Sequence, residues 1–420
     1  MRVTLHPQAS EAFGLLGLPW HEPLEQWTDA RLVAPRDEGL HRHVVRFVEG
    51  GGRLWAIKEL PEPLADREYR VLGRLGELGI SCVPVYGVVA ERAPGLEAAL
   101  ITGFLDYSST YRAVFTGPRG PHSRDRLVDA LAQLLARLHV AGAYWGDCSL
   151  SNTLFRLDAG QIAAYFLDAE TAELHNSLSD GQRETDLDFA TGNVLGELLD
   201  LQAGGMLGDD VDPWAVVAAL EEGYRVLWEE LTSDWQFPAA DAQERLRERL
   251  QRLNDLGFDV DELELLDAGE GQMRLRVTTK ISEPGYHRRL LYQRAGLLTE
   301  ENQARRLLND IASYRAWLEQ QEGREIPEVV ATNRWLSEIY DPVVAAIPPD
   351  LRDKLAPAEV FHEVLEHRWY LSRAAHRGVS TPDATAAYVA EILPAVPDDL
   401  TSGAGGEDRG RWTAKGWTRE

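Results

Sequence analysis

Residues 138–170 read LHVAGAYWGDCSLSNTLFRLDAGQIAAYFLDAE. Asp147 stands at the centre, Asn152 follows five positions later and Asp168 sixteen beyond that. Between the last two, Thr153–Leu157 and Ile162–Leu167 are short apolar runs separated by Asp158-Ala159-Gly160-Gln161, the pattern of a β-hairpin with a turn at its tip. A hairpin there returns Asn152 and Asp168 to the same end, where one hard cation can meet both oxygens. Asp, Ser and Asn are common turn residues, so each alone signals only a loop. The joint spacing points to chemistry. Phosphoryl transfer asks for such a set: one carboxylate to orient and deprotonate a hydroxyl, and a second carboxylate with an amide oxygen to hold Mg²⁺ against nucleotide phosphates. Asp147 is the candidate for the first role, Asn152 and Asp168 for the second.

Upstream, Leu127, Leu131, Leu134, Leu135 and Leu138 recur at helical spacing, predicting a long helix over Ser123–Ala141 that delivers the loop. Earlier still, Ala30–Ala34 and Val44–Val48 read as strands, and Gly50–Gly52 as the turn into a third, Leu54–Lys58. A helix over Pro63–Leu78 follows, carrying Glu68 and, in its last turn, Glu77. Val83–Val89 and Ala98–Phe104 complete the strands.

The segment from His139 to Asn152 resembles the catalytic loop of the protein kinase-like superfamily, with His139, Gly142 and Asp147 at the kinase spacing and Asn152 at the metal-binding asparagine. Gly146 before the aspartate and Ser151 before the asparagine are similar to the atypical branch, which includes aminoglycoside phosphotransferases, RIO kinases and the small kinase of the tRNA threonylcarbamoylation machinery. The whole chain also resembles an uncharacterised actinobacterial family sometimes labelled lipopolysaccharide-kinase-like. The resemblance implies ATP and Mg²⁺ as cofactors, Lys58 as the lysine presented to the α- and β-phosphates, and Glu68 as its salt-bridge partner. It implies Phe104, Leu105 and Asp106 as the hinge whose backbone meets adenine.

Departures from the family pattern are equally specific. Ala169-Glu170 replaces the usual Phe-Gly after the metal aspartate, and Glu170 reads as a solvent-facing carboxylate before a residue that assists the metal. Trp145 replaces the first histidine of the loop and no arginine precedes Asp147, which argues against activation by a phosphorylated loop docking there. The expected phosphate-covering loop, residues 35–43, contains only Gly39; Arg42 and His43 are alternatives for covering phosphates, or simply surface residues. Of Asp186 and Asp188, one is a candidate to brace the catalytic loop; such acids also simply favour helix N-termini.

The fold class read from these signals is α+β: a two-lobed protein kinase-like fold followed by a mostly helical second domain. The expected boundaries are an irregular N-terminal extension over 1–29, a kinase-like domain over 30–232 (small lobe 30–106, helical lobe 107–232), a linker over 232–240, a second domain over 241–396 and a flexible tail over 397–420. In the second domain, helices are predicted at Asp241–Leu256, His287–Ala295, Thr299–Gln321 with Thr299 as N-cap, Glu328–Ile347, Pro357–Arg377 and Pro382–Leu393, with a hairpin near Gly269–Gly271. Its basic clusters (Lys280, His287, Arg288, Arg289; Arg305, Arg306) read as solvated faces before anion sites, and His362, His367 and His376 do not make a metal set.

Composition bounds the partners. A net charge of −25 over 420 residues argues against a general nucleic-acid binder. Two cysteines, Cys82 and Cys148, give neither a disulfide framework nor a metal-ligand spacing. No segment approaches the ~20 apolar residues of a membrane helix, and the expected location is cytoplasmic. Two function classes follow: an ATP- and Mg²⁺-dependent phosphotransferase acting on a hydroxyl of a small-molecule, lipid or protein acceptor, or a nucleotide-binding pseudokinase whose second domain is a protein interaction module. Nucleotidyl transfer on the same fold is a third. Acceptor and oligomeric state stay open at this level.

Overall fold

The computed structural model describes residues 1–6, 10–33, 43–51, 53–116, 121–238, 286–374 and 377–396, with shorter pieces at 241, 244–246, 249, 263–269, 272–277, 412–413 and 416–417. The predicted phosphate loop except His43, most of the helix at 241–256, Lys280, His376 and most of the tail lie outside these.

An antiparallel six-stranded sheet forms the small lobe, from β1 (Arg2–Leu5), β2 (Leu32–Val33), β3 (Val45–Gly50), β4 (Arg53–Leu60), β5 (Val85–Ala90) and β6 (Ala98–Gly103), in the order β1-β5-β6-β4-β3-β2. Side chains alternate across a strand, and β4 uses both faces. Trp55 and Ile57 are buried against Leu15, Leu18, Trp20, Leu24 and Trp27 of the N-terminal segment. Lys58 and Leu60 turn the other way, toward helix α1 (Glu62–Glu77). The segment expected to be an irregular extension is therefore part of the lobe. Its strand β1 completes one edge of the sheet, pairing Arg2 to Leu5 with Ala90 to Gly87, and its tryptophans and leucines cover one face. Scattered apolar residues without a period conceal this, because they pack from 3₁₀ turns rather than from one regular element.

The helical lobe follows: β7 (Ser108–Ser109), α2 (Tyr111–Thr116), α3 (Pro121–Val140), β8 (Ala143–Tyr144), the hairpin β9 (Thr153–Asp158) and β10 (Gln161–Phe166), β11 (Glu173–Leu174), α4 (Asp180–Ala203) and α5 (Pro213–Thr232). Helix α4 begins six residues before Asp186. Ser179 and Gln182 form a capping box there, a polar start signal that precedes the apolar run.

Residues 232–240, expected as a linker, instead contain strand β12 (Trp235–Pro238), which pairs with β14 (Gln272–Val277) beside β13 (Leu263–Gly269). The remainder is helical: α6 (Tyr286–Ala295), α7 (Glu301–Glu322), α8 (Glu328–Trp335), α9 (Asp341–Ala345), α10 (Pro357–Ala374) and α11 (Thr381–Glu391), around a core that includes Leu291, Leu307, Trp335, Val344, Phe361 and Tyr388. The α7 cap is Glu300, not Thr299: the Gln303 side chain reaches back to accept from the Glu300 amide at 3.0 Å. Between α8 and α9 the chain makes a π turn at Leu336–Tyr340, where Pro342 cannot donate to the preceding turn. No described helix is long and apolar enough to cross a membrane.

Candidate active site

Helix α1 buries Ala65, Glu68, Leu72 and Leu75 along one face. Glu68 is the acidic member of that apolar stripe, and β4 turns Lys58 to meet it. Lys58 Nζ lies 3.1 Å from Glu68, 2.7 Å from Asp168 and 3.1 Å from Glu170. The three carboxylates fall within 4.8 Å of one another, and among the described His, Cys, Asp and Glu residues they are the group with metal-ligand spacing. Glu170 is thus not solvent-facing. Two residues beyond Asp168, the chain curls so that the Glu170 amide donates to Asp168 Oδ1 at 3.0 Å, and its own carboxylate returns to Lys58 and to His43, 2.5 Å away.

One ammonium serves three carboxylates, so the two ends of the Lys58–Glu68 pair respond differently. Burial disfavours the ammonium, but Glu68, Asp168 and Glu170 together outweigh it and hold Lys58 above the usual lysine range. Burial, reinforced by Asp168, pushes Glu68 up to about 8 despite the pull of Lys58. Excess negative charge of this kind attracts a divalent cation.

The β9–β10 hairpin pairs Thr153 with Phe166, and the Leu167 amide donates to the Asn152 carbonyl. This brings Asn152 beside Asp168 at its open end. Asn152 Nδ2 donates to Asp147 Oδ2 at 3.1 Å and to the Asp147 carbonyl at 3.0 Å. The amide nitrogen being turned to Asp147, the amide oxygen is left for a cation. Oxygen donors from Asn152 and Asp168 fit Mg²⁺, which prefers carboxylate and carbonyl ligands supplemented by phosphate and water. Burial, with the Asp168 charge added, raises the Asp147 carboxyl above the ordinary range, while the Asn152 and Asn193 hydrogen bonds oppose the rise. That direction suits a proton acceptor.

Helix α4 holds the loop. Asp186 accepts from the Trp145 and Gly146 amides at 2.6 and 2.8 Å and from His139 Nε2 at 3.0 Å. Gly146 has φ +77°, a left-handed conformation in which glycine is at ease, and it turns the chain so that Asp147 leaves the brace. One helix face further, Asn193 Nδ2 donates to Asp147 Oδ1 at 3.1 Å, and Glu197 accepts the Leu150 and Ser151 amides at 2.8 and 2.9 Å. Asp147 therefore has an asparagine amide on each carboxylate oxygen. Cys148 is buried beneath the loop.

Of the expected hinge, Phe104 donates its amide to the Leu54 carbonyl at 3.1 Å and stacks edge-on with Phe47. Its N–H is thereby committed to the sheet. The basic clusters of the second domain lie elsewhere; His287 pairs with Glu301 at 2.8 Å. Arg306 meets His362 at 2.8 Å.

Residues 48–190 match the model of the lipopolysaccharide kinase (Kdo/WaaP) family. Residues 226–393 match a domain of unknown function, DUF4032. The chain thus joins a kinase-like N-terminal part to a mostly helical C-terminal region similar to that second family. A solved structure described as WaaP in complex with acyl carrier protein shares 18% identity, with a TM-score of 0.36, covering 61% of this chain and 99% of that one. No curated protein matches.

Proposed function

We propose that the chain is an ATP- and Mg²⁺-dependent phosphotransferase of the atypical kinase class. The observation that carries this reading is convergence: Lys58, Glu68 and Asp168 from three elements form one cluster, and the hairpin joins it to the Asp147–Asn152 pair. Bound Mg²⁺ would neutralise charge on the phosphates, with Asn152 and Asp168 as its protein ligands. Lys58 would bind the α- and β-phosphates, fixed by Glu68. Asp147 would orient the acceptor hydroxyl and take its proton as the new O–P bond forms and ADP leaves.

The test is thermal denaturation of the purified protein with and without ATP and Mg²⁺, beside Asp168→Ala. Ligand that binds the native state raises the midpoint by mass action. Metal-dependent stabilisation that Asp168→Ala abolishes supports the reading; no effect of ATP on the wild-type protein sinks it. Asp147→Ala should retain the nucleotide-induced shift and lose turnover.

A further inference from the structure

The hairpin that carries Asn152 and Asp168 has two faces. Phe155, Ile162, Ala164 and Phe166 face the core of the helical lobe. Arg156, Asp158 and Tyr165 alternate onto the opposite face, where polar side chains would ordinarily meet water. Here they meet the C-terminal domain. Glu300 takes both Arg156, at 2.7 Å, and the Tyr165 hydroxyl, one from each strand. Asp158 accepts the Gln303 and Asn302 amides at 2.8 and 3.1 Å and the Asn302 side chain at 3.0 Å, which places its carboxyl on the open N–H groups at the start of α7.

The tip itself is a two-residue turn, Ala159 with φ +54° and Gly160 with φ +78°. Both positive values define the hairpin turn that normally selects Asn-Gly, and alanine holds its position at some cost in strain. Both turn amides are aimed at one acceptor. Glu359 of α10 receives Ala159 N–H at 2.7 Å and Gly160 N–H at 3.1 Å, and Gln303 ties Glu359 back to the Leu157 carbonyl. Glu359 is 1% exposed and Ala159 fully buried. A carboxylate costs several kcal/mol to bury, and its placement on two consecutive amides of a strained turn marks a fixed attachment.

We infer that Glu359 is a positioning residue for the metal ligands: the C-terminal domain grips the tip of the hairpin and so sets where Asn152 and Asp168 stand at its other end. The inference rests on the phosphotransferase reading and adds a role for the second domain, as an internal brace rather than a separate module. The six-residue strands between grip and site transmit position as a rigid ladder, since each end of the hairpin is held by hydrogen bonds and its middle by the lobe core.

The test uses the full chain as wild type, Glu359→Ala, Glu359→Gln, and Val344→Ala. Val344 is buried in the same domain and serves as a control for plain destabilisation. Binding of a non-hydrolysable ATP analogue is measured calorimetrically at increasing Mg²⁺, with melting recorded for each variant. Glu359→Ala should raise the Mg²⁺ concentration for half-saturation about tenfold, the scale of losing an outer support of a metal ligand, while leaving metal-free nucleotide affinity unchanged. Glu359→Gln, which keeps an acceptor oxygen, should recover part of the loss. Val344→Ala should lower the melting midpoint yet leave the Mg²⁺ requirement within about twofold, because it removes buried apolar volume and no hydrogen bond to the hairpin tip. An unchanged Mg²⁺ requirement in Glu359→Ala, or an equal shift in Val344→Ala, overturns the brace and leaves the phosphotransferase reading standing. Failure of the wild-type protein to bind the analogue at any Mg²⁺ overturns both.

Discussion

At the scale of single residues, Asp147 is held by two amides from opposite directions, and only one of them is close in sequence. Asn193→Ala frees one carboxylate oxygen and should lower ATP turnover roughly tenfold to a hundredfold through misorientation, with nucleotide affinity unchanged; equal turnover would remove Asn193 from the positioning set. His139 gives a second residue-level prediction. Burial holds it below the usual histidine range, against the pull of Asp186, so the folded protein keeps it neutral where the unfolded chain takes up a proton near pH 6.5. Its stabilising contribution is complete above that pH and is lost as pH falls below it, by up to about 1.4 kcal/mol per unit for one proton. His139→Gln should flatten the fall in denaturant-measured stability between pH 6.5 and 5. The residues legible in the sequence, Lys58, Glu68, Asp147, Asn152 and Asp168, are those whose spacing is local or whose element is periodic. Asn193 and Glu197 left only a faint trace, a common face with Asp186 on one helix, and Glu170 misled because a curl of two residues reverses its direction.

Among elements, the β9–β10 hairpin, α1 and α3 could be read to within a few residues, because a period of two or of 3.6 marks each. The N-terminal segment could not. Its 3₁₀ turns carry no period, and its partners β5 and β4 lie far along the chain. Leu15, 1% exposed against Trp55 and its neighbours, measures how firmly this segment belongs to the small lobe. Leu15→Ala should cost about 2–5 kcal/mol, seen as a lower denaturation midpoint; a change under about 0.5 kcal/mol would return the segment to the status of an appendage. β12 escaped for a related reason: Trp235–Pro238 is short, and its partner strand lies some 35 residues away.

For the whole molecule, the two family matches meet between residues 190 and 226, yet the fold does not part there. Buried charges cross from one region to the other through Arg156, Asp158, Glu300 and Glu359. Arg156→Ala leaves Glu300 buried opposite the hairpin with its main counter-charge removed, a change worth roughly 3–5 kcal/mol. Replacing both partners, Arg156→Met with Glu300→Gln, which keeps an acceptor for the Tyr165 hydroxyl, should recover much of the loss in equilibrium denaturation. A double variant as unstable as the single one would show that shape rather than charge joins the regions.

Arg67 on α1 donates to the Ala172 carbonyl at 2.9 Å, and Thr171 donates to the Trp145 carbonyl at 2.9 Å, so the helix that carries Glu68 and the segment after Asp168 are tied together by the chain's own groups. The calorimetric consequence is that these ties hold the segment after Asp168 in place before a ligand enters. Arg67→Ala, which cuts one of these ties, should make the heat-capacity change of ATP binding more negative by an increment of coupled folding, measured by titration across a range of temperature; an unchanged value would remove Arg67 from the tie.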